Sequence, residues 1–193
     1  MKIDPQRSVT WLEKRIAEET NPRHRAIIEN YKQHLLSEVT GKLDDIMATL
    51  VDEPVYHSYS PASLDGEAGP KNRAEVEAFY DGMFTTRTNV LERHVDRLIV
   101  TDDFLVSEGS IDQAYPGDAL LARGRTTDST GAPIESDAYY TTSYRICAVL
   151  PYVGEGTDVR MAGEDTYTLV HANDLRRIEP DDVPDLLLWA TDP

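Results

Sequence analysis

The sequence predicts an α+β domain in which a strongly curved antiparallel sheet packs on about three N-terminal helices. Three observations carry this expectation. Apolar residues at three- and four-residue steps dominate the first half of the chain. From about residue 90 onward, Val, Ile, Thr and Tyr gather in runs separated by turn signals. Helices therefore come first and strands later, without the strand–helix alternation of a parallel sheet.

The elements follow in order. Trp11, Leu12 and Ile16 suggest a short helix within the first twenty residues. Thr20-Asn21-Pro22 marks a fresh start, a capping side chain followed by Pro at the first helical position. Ile27, Ile28, Tyr31, Leu35 and Val39 then share a helical face, which Thr40-Gly41 interrupts. Leu43, Ile46, Met47, Leu50 and Val51 complete a second such pattern, so residues 21–52 are expected to form helix, break, helix. Pro54 to Tyr59 has strand composition and leads into a Gly- and Pro-rich loop from Ser60 to Pro70. Asn72 and Glu75 make an Asn-led relative of the capping box. Behind them Val76, Phe79, Tyr80, Met83 and Phe84 predict the third helix.

Strands are expected at residues 90–100, 104–113, 137–152 and 158–170, with turns at Thr101-Asp102-Asp103 and Gly154-Glu155-Gly156. The tail carries an apolar knot, Leu186-Leu187-Leu188-Trp189, expected to dock on the body or on a second subunit. No linker divides the chain and no segment repeats. One domain is expected, with residues 1-20 as an N-terminal extension helix, 21-175 as the domain proper and 176-193 as a docking tail.

Composition narrows the function. With 19 Lys+Arg against 35 Asp+Glu among 193 residues, the net charge is −16, and its field repels nucleic acid and anionic membrane surfaces. A hydrophobic content of 40% is too high for a disordered acidic tail. No apolar run approaches the roughly 20 residues that cross a bilayer, and the first residues lack an apolar signal region. A cytoplasmic protein with no nucleic-acid or membrane partner is expected. The single Cys147 excludes an internal disulfide and an all-Cys zinc site. H-E-x-x-H, C-x-x-C, G-x-G-x-x-G, G-x-S-x-G and the phosphate-binding loop are all missing, so neither metal nor organic cofactor is expected.

Residues Gly41 to Glu53, followed by Val55-Tyr56-His57, resemble the entry into the first strand of the nuclear-transport-factor-2-like superfamily. Within it they are most similar to SnoaL-like polyketide cyclases and ketosteroid isomerases. Arg73 to Tyr80 looks like that family's third helix, and Arg97 to Asp103 like its second strand and turn. The resemblance covers roughly residues 25–170. It implies a cone-shaped sheet around an apolar cavity, a small apolar ligand or substrate, and a homodimer formed through the sheet's outer face.

Strand alternation then picks out polar residues that share a face with apolar ones. Asp165 alternates with Val159, Met161, Tyr167 and Leu169, and burial there would raise its pKa toward a range useful for acid–base chemistry. Otherwise the strand ends near Gly163 and Asp165 sits at an exposed turn. Tyr140 and Tyr144 share a face of the preceding strand. His57 lies where many SnoaL-like members carry a His, and serves either a ligand or the strand end. Ser58 stands where the resemblance puts the isomerases' catalytic Asp, so steroid isomerisation by the usual residues is disfavoured. His34 falls at the place of an isomerase Tyr donor, with Tyr31 one turn earlier; it either donates to a developing oxyanion or is a satisfied core histidine.

The expected catalytic set is therefore Asp165, His57, Tyr140 and His34. The expected lining adds Tyr31, Tyr56, Ser58, Phe79, Met83, His94, Glu108, Tyr144, Met161 and Tyr167. The leading expectation is a cofactor-independent cyclase, isomerase or dehydratase acting on a small apolar carbonyl compound. The alternatives are a non-catalytic binding or dimerisation module, and an epoxide hydrolase with Arg125 or Arg145 between two carboxylates.

Overall fold

The computed structural model describes residues 2–60, 69–170 and 174–188. Helix α1 spans Arg7–Glu18 and α2 spans Pro22–Thr40. Asn21 caps α2 by accepting from the N–H groups of Arg23 and His24, two of the donors a helix start leaves unpaired. Gly41 closes α2 in the left-handed region, with φ 70°. Helix α3 (Leu43–Ala48) is shorter than the pattern of apolar residues suggests, because Leu50 and Val51 open strand β1 (Leu50–Tyr59) instead. The carbonyl of Thr49 accepts the N–H of Met161 at 3.0 Å, so pairing to a distant strand replaces the last helical turn. Helix α4 (Arg73–Thr85) is capped by Asn72, which accepts the N–H of Glu75.

Strands β2 (Leu91–Val100), β3 (Phe104–Pro116), β4 (Tyr139–Glu155) and β5 (Asp158–Val170) build most of the sheet. A six-residue helix, α5 (Gly117–Ala122), follows β3, and a short β6 (Arg176–Arg177) pairs with β4. The sheet is curved and unclosed, with the order β1-β5-β4-β3-β2. Its pairs are antiparallel except β1 with β5, which is parallel. The concave face packs on α2, α3 and α4, where Ile27, Ile28, Val39, Ile46 and Val76 are fully buried.

Two irregularities in pairing decide which side chains face inward. Val149 pairs with Asp165 but Tyr152 with Met161, so β5 carries one extra residue relative to β4. Val95 pairs with Gly109 but Arg97 with Glu108, so β2 likewise carries one extra residue. Side chains alternate with period two, and a single insertion moves every later residue to the other face. Along β5 the inward set therefore changes from Val159 and Met161 to Glu164, Thr166 and Thr168. Along β2 it changes from Leu91 and Arg93 to Leu98 and Val100.

The described segments nearest the two termini, residues 2–6 and 174–188, rest on this body. Ile3, Val90, Ala114, Val183 and Leu187 form a second apolar cluster. Glu92, only 2% exposed, accepts the N–H of Asp4 and pairs with Arg7. A short helix α6 (Asp185–Leu188) supplies Leu187; Trp189 of the apolar knot lies outside the described residues. Among the described residues no helix is long and apolar enough to cross a membrane.

Candidate functional site

Tyr31, His34, Leu35 and Glu38 occupy steps of three and four along α2 and so project from one side of the helix. That side faces the concave sheet across a cavity of about 700 Å³. Glu164, Thr166 and Thr168 of β5 line it, as do Arg93 and Leu91 of β2. Strands β3 and β4 add Ile111, Gln113, Tyr115, Tyr144 and Ile146; Phe79, Tyr80 and Met83 come from α4 and Tyr56 from β1.

Most polar groups in this cavity are already engaged with one another. The hydroxyl of Thr49 donates to the carbonyl of Ile46 at 2.6 Å, which leaves its oxygen to accept from Nδ1–H of His34 at 2.8 Å. His34 Nε2 then accepts from the Tyr80 hydroxyl at 2.9 Å, and Tyr80 in turn accepts from Tyr56 at 3.2 Å. Burial pushes His34 down to about 4, so the imidazole is neutral, as this chain of donors requires. Further along, Gln113 accepts from both Tyr115 and Tyr144, at 2.6 and 2.9 Å, and donates to the carbonyl of Thr88.

Glu38, Glu164 and Arg93 stand apart from this pairing. Arg93 reaches along β3 to the carbonyl and hydroxyl of Ser107, at 3.1 and 3.0 Å. The Tyr31 hydroxyl donates to the same Ser107 hydroxyl at 3.4 Å. The Nε of Arg93 is buried without a partner among the described residues. No described residue hydrogen-bonds or ion-pairs to the side chains of Glu38 or Glu164. Burial, reinforced by the charge of Glu164 and opposed by Arg93, pushes Glu38 up to about 8. Burial raises Glu164 too, with Arg93 the strongest opposing influence. Near neutral pH Glu38 is held protonated, and the Arg93 guanidinium opposes the upward shift of both carboxyls.

The expected site residues divide sharply. Tyr31, His34, Tyr56, Ser58, Phe79, Met83 and Tyr144 do line the one cavity. His34, however, has both ring nitrogens occupied and no donor left for a ligand. Asp165 is on the convex face, because the extra residue in β5 moves it outward. There it meets His57 Nδ1 at 2.6 Å beside the stacked rings of Tyr59 and Tyr167. His57 and Ser58 border the cavity mouth, but the His57 ring turns to that outer carboxylate.

Other expected residues also lie elsewhere. His94 sits across the β2 insertion from Leu98 and bonds Asp112 at 3.0 Å. Glu108 faces outward, between Arg97 and Arg145. Met161 is fully buried within the core and does not line the cavity. Tyr140 belongs to a separate cluster with Leu120, Ile134 and Leu175, where its oxygen accepts the N–H of Glu135. Neither Arg125 nor Arg145 lines the cavity; Arg93 and Arg123 do.

Sequence reasoning missed Glu38, Arg93 and Glu164. Glu38 completes the i, i+3, i+4, i+7 spacing from Tyr31, a signal that was present. Arg93 and Glu164 were hidden by insertions that shift strand phase. Among the described residues no three His, Cys, Asp or Glu side chains gather as a metal-binding group. The site offers a protonated carboxyl, a second carboxyl and a fixed positive charge around a largely apolar chamber.

No protein-family model and no curated protein matches the sequence. Solved structures do match the fold. A nuclear-transport-factor-2-like protein from Anabaena variabilis ATCC 29413 superposes with a TM-score of 0.54 at 8% identity, covering 80% of this chain and 96% of that one. A SnoaL-like polyketide cyclase from Jannaschia sp. CCS1 gives 0.53 at 15% identity, covering 78% and 90%. An LEH-like epoxide hydrolase from M. tuberculosis gives 0.53 at 14% identity, covering 79% and 88%. The chain thus has the α+β cone fold of nuclear-transport-factor-2-like proteins, the fold its sequence motifs resemble.

Proposed function

We propose that the protein is a cofactor-independent acid–base catalyst acting on a small, largely apolar carbonyl compound. The observation that carries this is a pair of half-buried carboxyls, Glu38 and Glu164, that line one largely apolar chamber with Arg93, Glu38 being held protonated near neutral pH. A carboxyl kept protonated near neutral pH beside a second carboxyl is a usual basis of paired acid and base roles. Fold alone would not support any activity.

In this reading the Glu164 carboxylate takes the proton from the carbon next to the carbonyl. The C–H electrons form the new C=C bond, the carbonyl π electrons move to oxygen, and Glu38 delivers its proton there. With a β,γ-unsaturated ketone, Glu38 takes back the enol proton, the dienol electrons re-form the carbonyl and the γ-carbon takes the proton from Glu164, which gives an isomer. With a β-hydroxyl, the re-forming carbonyl drives the enol electrons into an α,β double bond as the C–O bond breaks and Glu164 protonates the leaving oxygen to water. Arg93 stabilises the negative charge that passes between the two carboxyls.

The same three groups support a second reading, epoxide hydrolysis, because a guanidinium acting on two carboxyls suits attack by water. Glu164 would accept a proton from water as its oxygen bonds to carbon. The C–O bond would break and Glu38 would protonate the leaving oxygen. Two copies would pair through the convex sheet face, where Tyr167 and Leu169 are each 49% exposed.

The test is deuterium exchange of a simple apolar ketone, 2-tetralone, in D₂O, followed by NMR. Exchange above buffer is expected, falling about 100-fold or more in Glu164→Gln and holding steady in Asp165→Asn. Undiminished exchange in Glu164→Gln, or its loss in Asp165→Asn, overturns the assignment. Conversion of cyclohexene oxide to diol with no ketone exchange selects the second reading.

A further inference from the structure

We infer that the α5 end of the cavity is an anion subsite built on Arg123, which makes the substrate an elongated apolar keto acid. Arg123 follows α5 and its side chain lines the cavity. It is held in place: Nη2 donates to the Thr88 hydroxyl at 3.2 Å, and the guanidinium stands 5.8 Å over the Tyr115 ring.

The electrostatics of that end are one-sided. In a protein of net charge −16, Arg7, Arg15, Arg87, Arg97, Arg145 and Arg177 each pair with a carboxylate. Arg123 has no carboxylate within ion-pair distance among the described residues. The Gln113 side-chain oxygen in the lining is already taken by two phenols, one of them the Tyr115 over which Arg123 stands. The remaining guanidinium donors therefore face the chamber without an anion to balance them. A planar fork of this kind suits a carboxylate.

The subsite lies away from the acid–base pair. Arg93 is level with Ile111 of β3, and Tyr115 stands four residues further along that strand, or about 13 Å. A ligand bridging the two ends carries its anion at Arg123 and an apolar body past Leu91, Ile111 and Met83. The placing of its carbonyl at the far end rests on the acid–base reading above; the anion subsite does not.

The experiment is calorimetric titration of the full chain with octanoate, 1-octanol and octylammonium. Wild type is expected to bind octanoate about tenfold or more tighter than 1-octanol. The preference should shrink as NaCl is added, since the charge sits at an exposed mouth. Arg123→Met should abolish the preference by weakening octanoate alone, with an unchanged melting temperature. Equal affinities in wild type, no octanoate binding at millimolar concentration, tightest binding of octylammonium, or equal losses for octanoate and octanol in Arg123→Met would each overturn it. Failure of ketone exchange with the octanoate preference intact removes the acid–base reading alone; the converse removes only the anion subsite.

Discussion

Replacing Glu38 by Gln removes a site that binds a proton in the folded protein and has already released it in the unfolded chain. Burial and the neighbouring Glu164 carry that carboxyl from the ordinary 4.5 to about 8. A raised carboxyl stabilises the fold fully below pH 4.5, and that contribution is lost as pH rises through 8. The slope is roughly 1.4 kcal/mol per pH unit while one site differs between the two states. His34 works in the opposite sense. Its folded value near 4 against an ordinary 6.5 makes stability fall as pH drops between those limits, so the two groups offset each other below 6.5. Between pH 6.5 and 8 the His34 contribution has ended, and Glu38 should account for a loss of up to about 2 kcal/mol, which comparison with Glu38→Gln separates from that of the also raised Glu164. Urea denaturation followed by circular dichroism at pH 6.5, 7.2 and 8.0 measures it. The Glu38→Gln curve should be flatter than wild type by that amount. Parallel curves for the two proteins would show that Glu38 is already ionised at neutral pH.

Three further substitutions probe the frame of the cavity. Gly163→Ala puts a Cβ 1.9 Å from the carbonyl of Val55, where β1 and β5 pair, and should cost about 1–3 kcal/mol in a denaturation titration. Gly82→Ala, in the middle of α4 with open space around the added methyl, should instead gain about 0.5–1 kcal/mol in the same assay. Tyr140→Phe strips the Glu135 N–H of its acceptor and should cost about 1 kcal/mol. Octanoate affinity should not change in Tyr140→Phe, because Tyr140 lies outside the cavity.

The helical half of the site was legible in the sequence because a helix keeps its period. Tyr31 and Leu35 of α2, and Phe79, Tyr80 and Met83 of α4, fall on faces that spacing alone marks, whereas His34 came from the family resemblance. A strand offers no such security. One extra residue in β5 turns Asp165 from an interior acid into the outer partner of His57 and brings Glu164 inside. The same event in β2 exchanges His94 for Arg93. Nothing in the local composition of either segment marks the insertion, since both phases are plausible amphipathic strands until the partner's register is known. The boundary at Thr49 failed for a related reason: an apolar pattern that suits another helical turn is captured by pairing to Met161, a contact more than one hundred residues away. Helix α5 carries too few residues to show a period at all.

The protonation of Glu38 can be observed without a substrate. With carboxyl-labelled glutamate, the Glu38 carbon can be followed by ¹³C NMR from pH 5 to pH 9.5, assigned by its loss in Glu38→Gln. The account requires a midpoint near 8, moving lower in Glu164→Gln as a neighbouring negative charge disappears. A midpoint near 4.5, or one indifferent to Glu164, would contradict the acid–base pair on which the proposed function depends.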